Sequence, residues 1–176
     1  MIRLRPLQGN EAEELDAAMG DPARAGTYIW FGDRSAGMTR QPVDGLITDD
    51  KGVLAIETDG GELAGWMSWH QRDNGPPPHG RCWMIAALVL PEHRGKGVGT
   101  AAHRALARYL FAQTAAVRVE AGTETGNIAE RRALEHAGFV HEGTLRRAVL
   151  REGAWRDIAV YSILRSEAEE PTPSGE

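Results

Sequence analysis

The sequence predicts a single α/β domain of the α+β kind, in which helices flank a mixed, mostly antiparallel central sheet with one β-α-β crossover. Strand-like segments recur along the whole chain, whereas only three segments show helical spacing. Most of the predicted strands belong to hairpins, which pair their strands antiparallel. The length of 176 residues suits one domain.

The first half of the chain contains a strand, a helix and a hairpin. Residues 2–7 alternate apolar and basic side chains, which is typical of a strand, and a helix follows as far as Met19. Residues 53–58 and 63–70 flank a turn with two glycines and therefore predict a hairpin. Residues 21–50 match no element, and we interpret them as a variable insertion.

The second half begins with a strand at the centre of the sheet. Residues 82–90 contain no charged side chain, which predicts a strand buried on both faces. The elements that follow are a helix after the glycines at 95, 97 and 99, a strand over 117–121, a helix over 127–137 and a hairpin of 140–150 with 155–164. The crossover between 82 and 121 makes two strands parallel.

Composition excludes several classes of protein. A net charge of −5 disfavours binding to DNA, and the single cysteine, Cys82, excludes an internal disulfide framework. The sequence contains no long apolar run, so we expect no signal peptide and a cytoplasmic protein with no membrane contact. The scattered histidines predict no metal site. We expect one domain over 1–165 and a disordered acidic tail over 166–176.

The segment from Leu88 to Thr100 joins the buried strand to a helix N-terminus. Such an N-terminus exposes unpaired N–H groups and the positive end of the helix dipole, which attract phosphate. Glycines allow the backbone to approach a ligand, and Arg94 and Lys96 add positive charge. The sequence therefore predicts a site for a pyrophosphate.

Other interpretations of this loop fit less well. The P-loop pattern is absent, although the segment Gly97 to Ala102 does match the dinucleotide pattern GxGxxA, with Glu120 as a candidate ribose ligand. Two features disfavour the dinucleotide interpretation. The glycine at 97 comes seven residues after the strand rather than directly at its end, and the chain has one β-α-β crossover, whereas a dinucleotide-binding fold has two wound halves. A plain loop before a helix remains the simplest alternative.

The same residues resemble the GNAT (Gcn5-related N-acetyltransferase) family. Arg94-Gly-Lys-Gly-Val-Gly99 matches its signature [RQ]xxGx[GA], within a longer Val-x-Pro-Glu-x-Arg-Gly pattern that starts at Val89. The helix from Asn127 to Phe139 is similar to the family's Asn-x-Ala-Ser-x-Arg-x-Leu-Glu-Lys-x-Gly-Phe segment. The closing strands, with Gly153-Ala-Trp-Arg-Asp157, resemble the Rim-type branch of ribosomal-protein alanine acetyltransferases.

The resemblance implies an N-acyltransferase that uses acetyl-CoA or another acyl-CoA as co-substrate. It implies that main-chain groups of Leu88 and Leu90 bind pantetheine, that the N–H groups of residues 95–100 hold the pyrophosphate, and that Asn127 contacts the pantetheine arm. The complete implied set is Leu88, Val89, Leu90, Arg94, Gly95, Lys96, Gly97, Val98, Gly99, Thr100 and Asn127.

The catalytic residues do not carry over from the family. The position of its tyrosine acid is Leu134, residues 82–90 contain no carboxylate to act as base, and Glu130 stands at the Rim-type serine position. The remaining candidates for acid–base work are His70 and Glu130. Activation by water or by the substrate's own geometry is an equal alternative.

The acceptor is a primary amine, and we favour a small molecule slightly over a protein N-terminus. Residues 21–50 could close an acceptor pocket, for which the candidate lining residues are Tyr28, Trp30 and Trp69. Alternatives are a donor carried by an acyl carrier protein or an acyl-tRNA, a non-catalytic acyl-CoA-binding module, and a nicotinamide-dependent oxidoreductase. The sequence leaves the oligomeric state open, with a homodimer as a candidate.

Overall fold

The computed structural model describes residues 1–29, 51–76 and 79–169, which form one seven-stranded sheet with helices packed on both faces. The strands are β1 (Ile2–Arg5), β2 (Lys51–Thr58), β3 (Leu63–Asp73), β4 (Arg81–Val89), β5 (Arg118–Glu124), β6 (Val140–Arg151) and β7 (Ala154–Leu164). The helices are α1 (Glu11–Met19), α2 (Pro22–Ala25), α3 (Val98–Gln113), α4 (Ile128–Ala137) and α5 (Arg165–Glu169). None of these helices is long and apolar enough to cross a membrane.

The strand order is β1-β2-β3-β4-β5-β7-β6, and β4–β5 is the one parallel pair among the described strands. This arrangement confirms the predicted fold class and the crossover through α3. Residues 166–169, which the sequence assigns to a disordered tail, are helical in α5. The boundaries of the domain and the remainder of the tail stay predictions.

Each face of the sheet has its own apolar cluster. Leu106 and Leu110 of α3 pack with Trp69 and Ile85 on one face, and Leu15 of α1 packs with β3 and β4 on the other. Trp66 belongs to the α1 side and Trp69 to the α3 side, and both are buried. Side chains alternate along a strand, so two tryptophans of opposite parity are both buried only because both faces are covered.

The parallel pair of strands separates halfway along its length. β4 and β5 are in register at Trp83–Val119, Met84–Glu120 and Ile85–Ala121. β4 continues to Val89 and β5 continues to Glu124 without further pairing between them. The result is a wedge-shaped gap in the middle of the sheet, which leads towards the beginning of α3.

Candidate functional site

The edge of β4 that faces the gap is identified by its hydrogen bonds on the other side. The N–H of Leu90 donates to the carbonyl of Ala64 at 2.9 Å, so Leu90 directs its main chain towards β3. Backbone direction alternates along a strand, and therefore Leu88 also faces β3, whereas Ala87 and Val89 face the gap. The main-chain groups available to a ligand thus lie one residue away from the expected Leu88 and Leu90.

The loop after β4 ends at an α3 N-terminus that has no side-chain cap. The φ angles of Gly95 and Gly97 are +70° and +77°, and a Cβ at either position would meet nothing within 4 Å. The first N–H groups of α3, from Val98 onward, have no carbonyl four residues earlier within the helix. They provide donors and a positive dipole end in open space, which fits the predicted phosphate site.

Arg94 of this loop is already engaged by backbone carbonyls. Its Nε donates to the carbonyl of Val89 at 2.8 Å, and its Nη2 donates to that of Ala25 at 3.2 Å and to that of Arg24. Arg94 therefore ties the end of β4 to α2, in addition to placing its charge near the loop. Sequence reasoning assigned it only the charge.

A cavity of about 950 Å³ occupies the gap and extends to α3 and α4. The expected residues that line it are Leu88, Val89, Arg94, Gly95, Gly97, Val98, Gly99, Thr100, Asn127, Glu130 and Tyr28. Four of the expected residues lie elsewhere, namely Leu90, Lys96, Trp69 and His70. Trp30 lies outside the described residues.

Asn127 organises the beginning of α4. Its Oδ1 accepts a hydrogen bond from the N–H of Glu130 at 3.3 Å, and its Nδ2 donates to Oγ1 of Thr123 at 3.0 Å. The first contact is an N-cap, which provides an acceptor for one backbone N–H of the first helical turn. The second ties the cap to β5, so Asn127 connects the beginning of α4 to a strand that borders the gap.

Glu130 is held by a buried histidine of α3. Nε2 of His103 lies 2.7 Å from Oε1 of Glu130; the His103 side chain is 1% exposed and that of Glu130 27%. Within the described residues, Nδ1 of His103 has no hydrogen-bond partner. Because His103 fixes one oxygen of Glu130, the carboxylate is oriented at the cavity wall. Sequence reasoning missed this pair, because its members are 27 positions apart on different helices.

A buried ion pair holds residues 27–28, which form the described rim of the cavity. Arg151 at the end of β6 bonds to Glu124 at the end of β5, and it also donates to the carbonyls of Thr27 and Tyr28 at 2.9 and 2.7 Å. The hydroxyl of Tyr28 donates to the carbonyl of Gly126 at 2.8 Å. These bonds hold residues 27–28 against the open end of the gap. No periodic pattern in the sequence indicates these hydrogen bonds.

The other candidate residues have different surroundings. His70 lies on β3 and does not line the cavity; partial desolvation of its imidazole, together with the charge of Arg72, lowers its pKa. Trp69 is 1% exposed and packs edge-on against Tyr109 at 6.1 Å. Glu120, the candidate ribose ligand of the dinucleotide interpretation, bonds to Arg118 at 2.7 Å and lies outside the cavity lining.

Comparisons with known proteins agree with this geometry. Residues 2–140 match the model of the acetyltransferase (GNAT) domain. The chain is 30% identical over 175 residues to a Bacillus subtilis (strain 168) protein named "Putative ribosomal N-acetyltransferase YdaF", which covers 96% of this chain and 93% of that protein.

Two solved structures share the fold. The spermidine N-acetyltransferase of Vibrio cholerae, in complex with CoA and spermine, superposes with a TM-score of 0.79 at 19% identity and covers 96% of this chain and 98% of its own. Mycobacterium smegmatis RimJ, in complex with CoA-disulfide, superposes with a TM-score of 0.73 at 22% identity. The superposition covers 96% of this chain and 84% of the RimJ chain.

Proposed function

Because the chain belongs to the GNAT acetyltransferase family, we propose that it moves an acetyl or another acyl group from an acyl-CoA to a primary amine. The similarity to YdaF also confirms the resemblance to the Rim-type branch. The acceptor that we favour slightly is a small molecule, with a protein N-terminus as the alternative. The proposal for the donor site is based on the geometry of β4, β5 and α3. The preference for a small acceptor is based on the rim of the cavity.

The observation that carries the proposal is the separation of β4 from β5 directly before an uncapped α3 N-terminus. Beyond Ile85 and Ala121, the two strands leave the main-chain groups of Ala87 and the N–H of Val89 facing a gap, whereas the carbonyl of Val89 accepts from Arg94. An extended chain with amide groups, such as pantetheine, pairs with such an edge as an added strand does. The helix N-terminus lies at the end of the same gap and suits the diphosphate.

The chain's residues bind and orient in this reaction. A bound acyl-CoA would supply the acyl group as a thioester: the amine nitrogen forms a bond to the carbonyl carbon and loses a proton, the carbon–sulfur bond breaks, and coenzyme A leaves as the thiol. The N–H groups of Ala87 or Val89 provide a preorganised donor at the gap, of the type that stabilises charge developing on a carbonyl oxygen. Glu130, oriented by His103, is the acid–base candidate that lines the cavity, whereas His70 does not line it.

The rim supports a small acceptor. Arg151 and Tyr28 fasten residues 27–28 across the end of β5, so the described part of the rim is closed by hydrogen bonds on that side. A protein N-terminus needs an open groove in which several residues lie extended. The related protein from Vibrio cholerae is named for spermidine, a small amine, and the one from Bacillus subtilis for a ribosomal substrate.

The test combines binding and turnover. Acetyl-CoA is expected to raise the unfolding midpoint, because it binds only the folded state, while NAD and NADP leave it unchanged. Release of free thiol is then followed with a panel of small primary amines and with peptides that have a free N-terminus. Turnover that is faster with a small amine supports the proposal, and turnover confined to peptides shifts the acceptor to proteins.

A donor on a carrier protein or an acyl-tRNA is the alternative for the donor side. It predicts no thermal shift with acetyl-CoA and turnover only when the acyl group is presented on the carrier. A shift with acetyl-CoA, followed by no thiol release across the whole amine and peptide panel, would contradict the transferase proposal and indicate binding alone.

A further inference from the structure

Arg156 of β7 directs its side chain to the same face of the sheet as the end of the cavity. It lies directly opposite Val149 of β6, and residues directly opposite in an antiparallel pair place their side chains on one face. Val149 lines the cavity, and so does Ile158, which lies two residues, or about 7 Å, further along β7 on that face. Arg156 is exposed and is not a lining residue, so it lies just beyond the end of the cavity.

The ion pair that holds the rim runs past Arg156. Arg151 is opposite Ala154 of β7, whereas Glu124 is opposite Ile158. The side chain of Arg151 therefore crosses β7 between these two positions to reach Glu124, and it also bonds to the carbonyls of the rim. Because residue 156 lies between 154 and 158 on the same face, the Arg156 side chain starts beside the rim.

The positive charge of Arg156 is not compensated by its neighbours. Within the described part of the chain, its side chain has neither an ion pair nor a hydrogen bond. The next residue, Asp157, faces the other side of the sheet, and its Oδ1 accepts a hydrogen bond from the N–H of Arg147 at 2.8 Å. Arg146 and Arg147, in the irregular part of β6 opposite Asp157, are also exposed. This part of the hairpin therefore has an excess of positive charge.

The acidic side chains of the cavity already have partners. Glu124 and Glu130 are the acidic residues among the described lining residues, and they bond to Arg151 and to His103. An acceptor with a second positive charge would find both carboxylates engaged, and it would approach arginines at the rim. A negative charge on the acceptor would instead be attracted to this end of the cavity.

We propose that Arg156 binds an anionic group of the acceptor, so that the chain selects amines that also carry a carboxylate or a phosphate over neutral amines and diamines. A guanidinium group donates two parallel hydrogen bonds to either anion, which suits Arg156 to this task. The inference rests on the proposed function, because it names the class of acceptor for the same cavity.

The experiment measures thiol release from acetyl-CoA with acceptors of matched length. These are δ-aminovalerate, pentylamine and cadaverine, which end in a carboxylate, a methyl and an ammonium group, together with their shorter and longer homologues. The wild type is expected to give a kcat/KM about fivefold higher for the best amino carboxylate than for the matched alkylamine, since an exposed ion pair contributes at this scale. The diamine is expected to be the poorest acceptor. The preference should decrease in about 1 M salt, which screens exposed charges. Aminobutyl phosphate shows whether a phosphate serves better than a carboxylate.

Two variants of Arg156 and one control complete the test. Arg156→Gln is expected to reduce the preference to about twofold or less, and Arg156→Glu to reverse it in favour of the diamine. Arg108→Gln removes the same charge from an exposed position of α3 outside the cavity lining and is expected to keep the preference. Equal use of amino carboxylates, amino phosphates and alkylamines by the wild type, or an unchanged preference in Arg156→Gln, would overturn the assignment while leaving the proposed function intact. Turnover of no amine at all would refute the proposed function and this assignment together.

Discussion

The buried pair of Glu124 and Arg151 allows a quantitative prediction. Their side chains are only 10% and 4% exposed, and Arg151 also donates to the carbonyls of Thr27 and Tyr28. Glu124→Gln retains the size and one acceptor oxygen of the side chain but leaves the guanidinium buried without a counter-charge. Removal of one partner from a buried pair costs about 3–5 kcal/mol.

The expected result is a loss of about 3–5 kcal/mol in the free energy of unfolding, measured by urea denaturation. In a chain of this length, that loss corresponds to a decrease of about 6–20 °C in the unfolding midpoint. The Michaelis constant for the amine is expected to rise as well, because the pair fastens the rim. The affinity for acetyl-CoA is expected to change less, because Glu124 bonds to Arg151 at the end of β5 and not to the phosphate loop after β4.

The control is Asp73→Asn, which breaks a pair of the same charge type at the surface. Nε of Arg81 lies 3.3 Å from Oδ1 of Asp73, and the side chains are 43% and 38% exposed. Such pairs contribute about 1 kcal/mol or less. If Glu124→Gln costs no more than Asp73→Asn, the ion pair does not hold the rim and the argument from burial fails.

Three further predictions concern the phosphate loop, acid stability and the base. Gly97→Glu is expected to abolish the thermal shift with acetyl-CoA, since it directs a carboxylate into the phosphate site, whereas Gly60→Glu in the β2–β3 turn keeps the shift; a full shift in Gly97→Glu would refute the site. The hydrogen bond from Arg118 lowers the pKa of Glu142 from 4.5 to about 2, so its contribution to stability is present above pH 4.5 and is lost as the pH falls towards 2. Urea denaturation should therefore show that Glu142→Gln is less stable than the wild type at pH 6 and that the difference disappears near pH 2; a difference independent of pH would contradict this. His70→Gln is expected to leave the pH profile of kcat/KM unchanged, and a lost ionisation in that profile would restore His70 as the base.

Most elements of the fold were predictable because they have a local signal, whereas α2, within the unassigned residues 21–50, and α5, which runs into the expected tail, were not predicted. The uncharged run over 82–90 predicted the central strand, and it is β4, Arg81–Val89, in the structure. The helix predicted over 127–137 is α4, and it ends at Gly138, whose φ of +99° closes the helix. Each of these patterns involves residues that are close together in the sequence, so a single sequence is enough to recognise it.

The details of the site depend instead on pairings that are distant in sequence. Which main-chain groups face the gap is decided by the bond between Leu90 and Ala64, and a shift of one residue reverses every assignment along β4. The pairs His103–Glu130 and Glu124–Arg151 join residues 27 positions apart in each case. No periodic pattern in a single sequence indicates such contacts. The sequence therefore predicted the phosphate loop but not the side-chain pairs that hold the rest of the site in place.

The position of Leu134 limits where the reaction can obtain an acid. Its side chain is fully buried in the core beside α3 and does not line the cavity, so in this chain the position of the family's tyrosine has become part of the packing. The one carboxylate that His103 orients at the cavity wall is Glu130. If Glu130 is the acid–base group, Glu130→Gln removes an ionisation from the kcat/KM profile and leaves the affinity for acetyl-CoA unchanged. If the profile keeps its shape, the remaining ionisation belongs to the amine itself, and it should then move with the pKa of the amine chosen as acceptor.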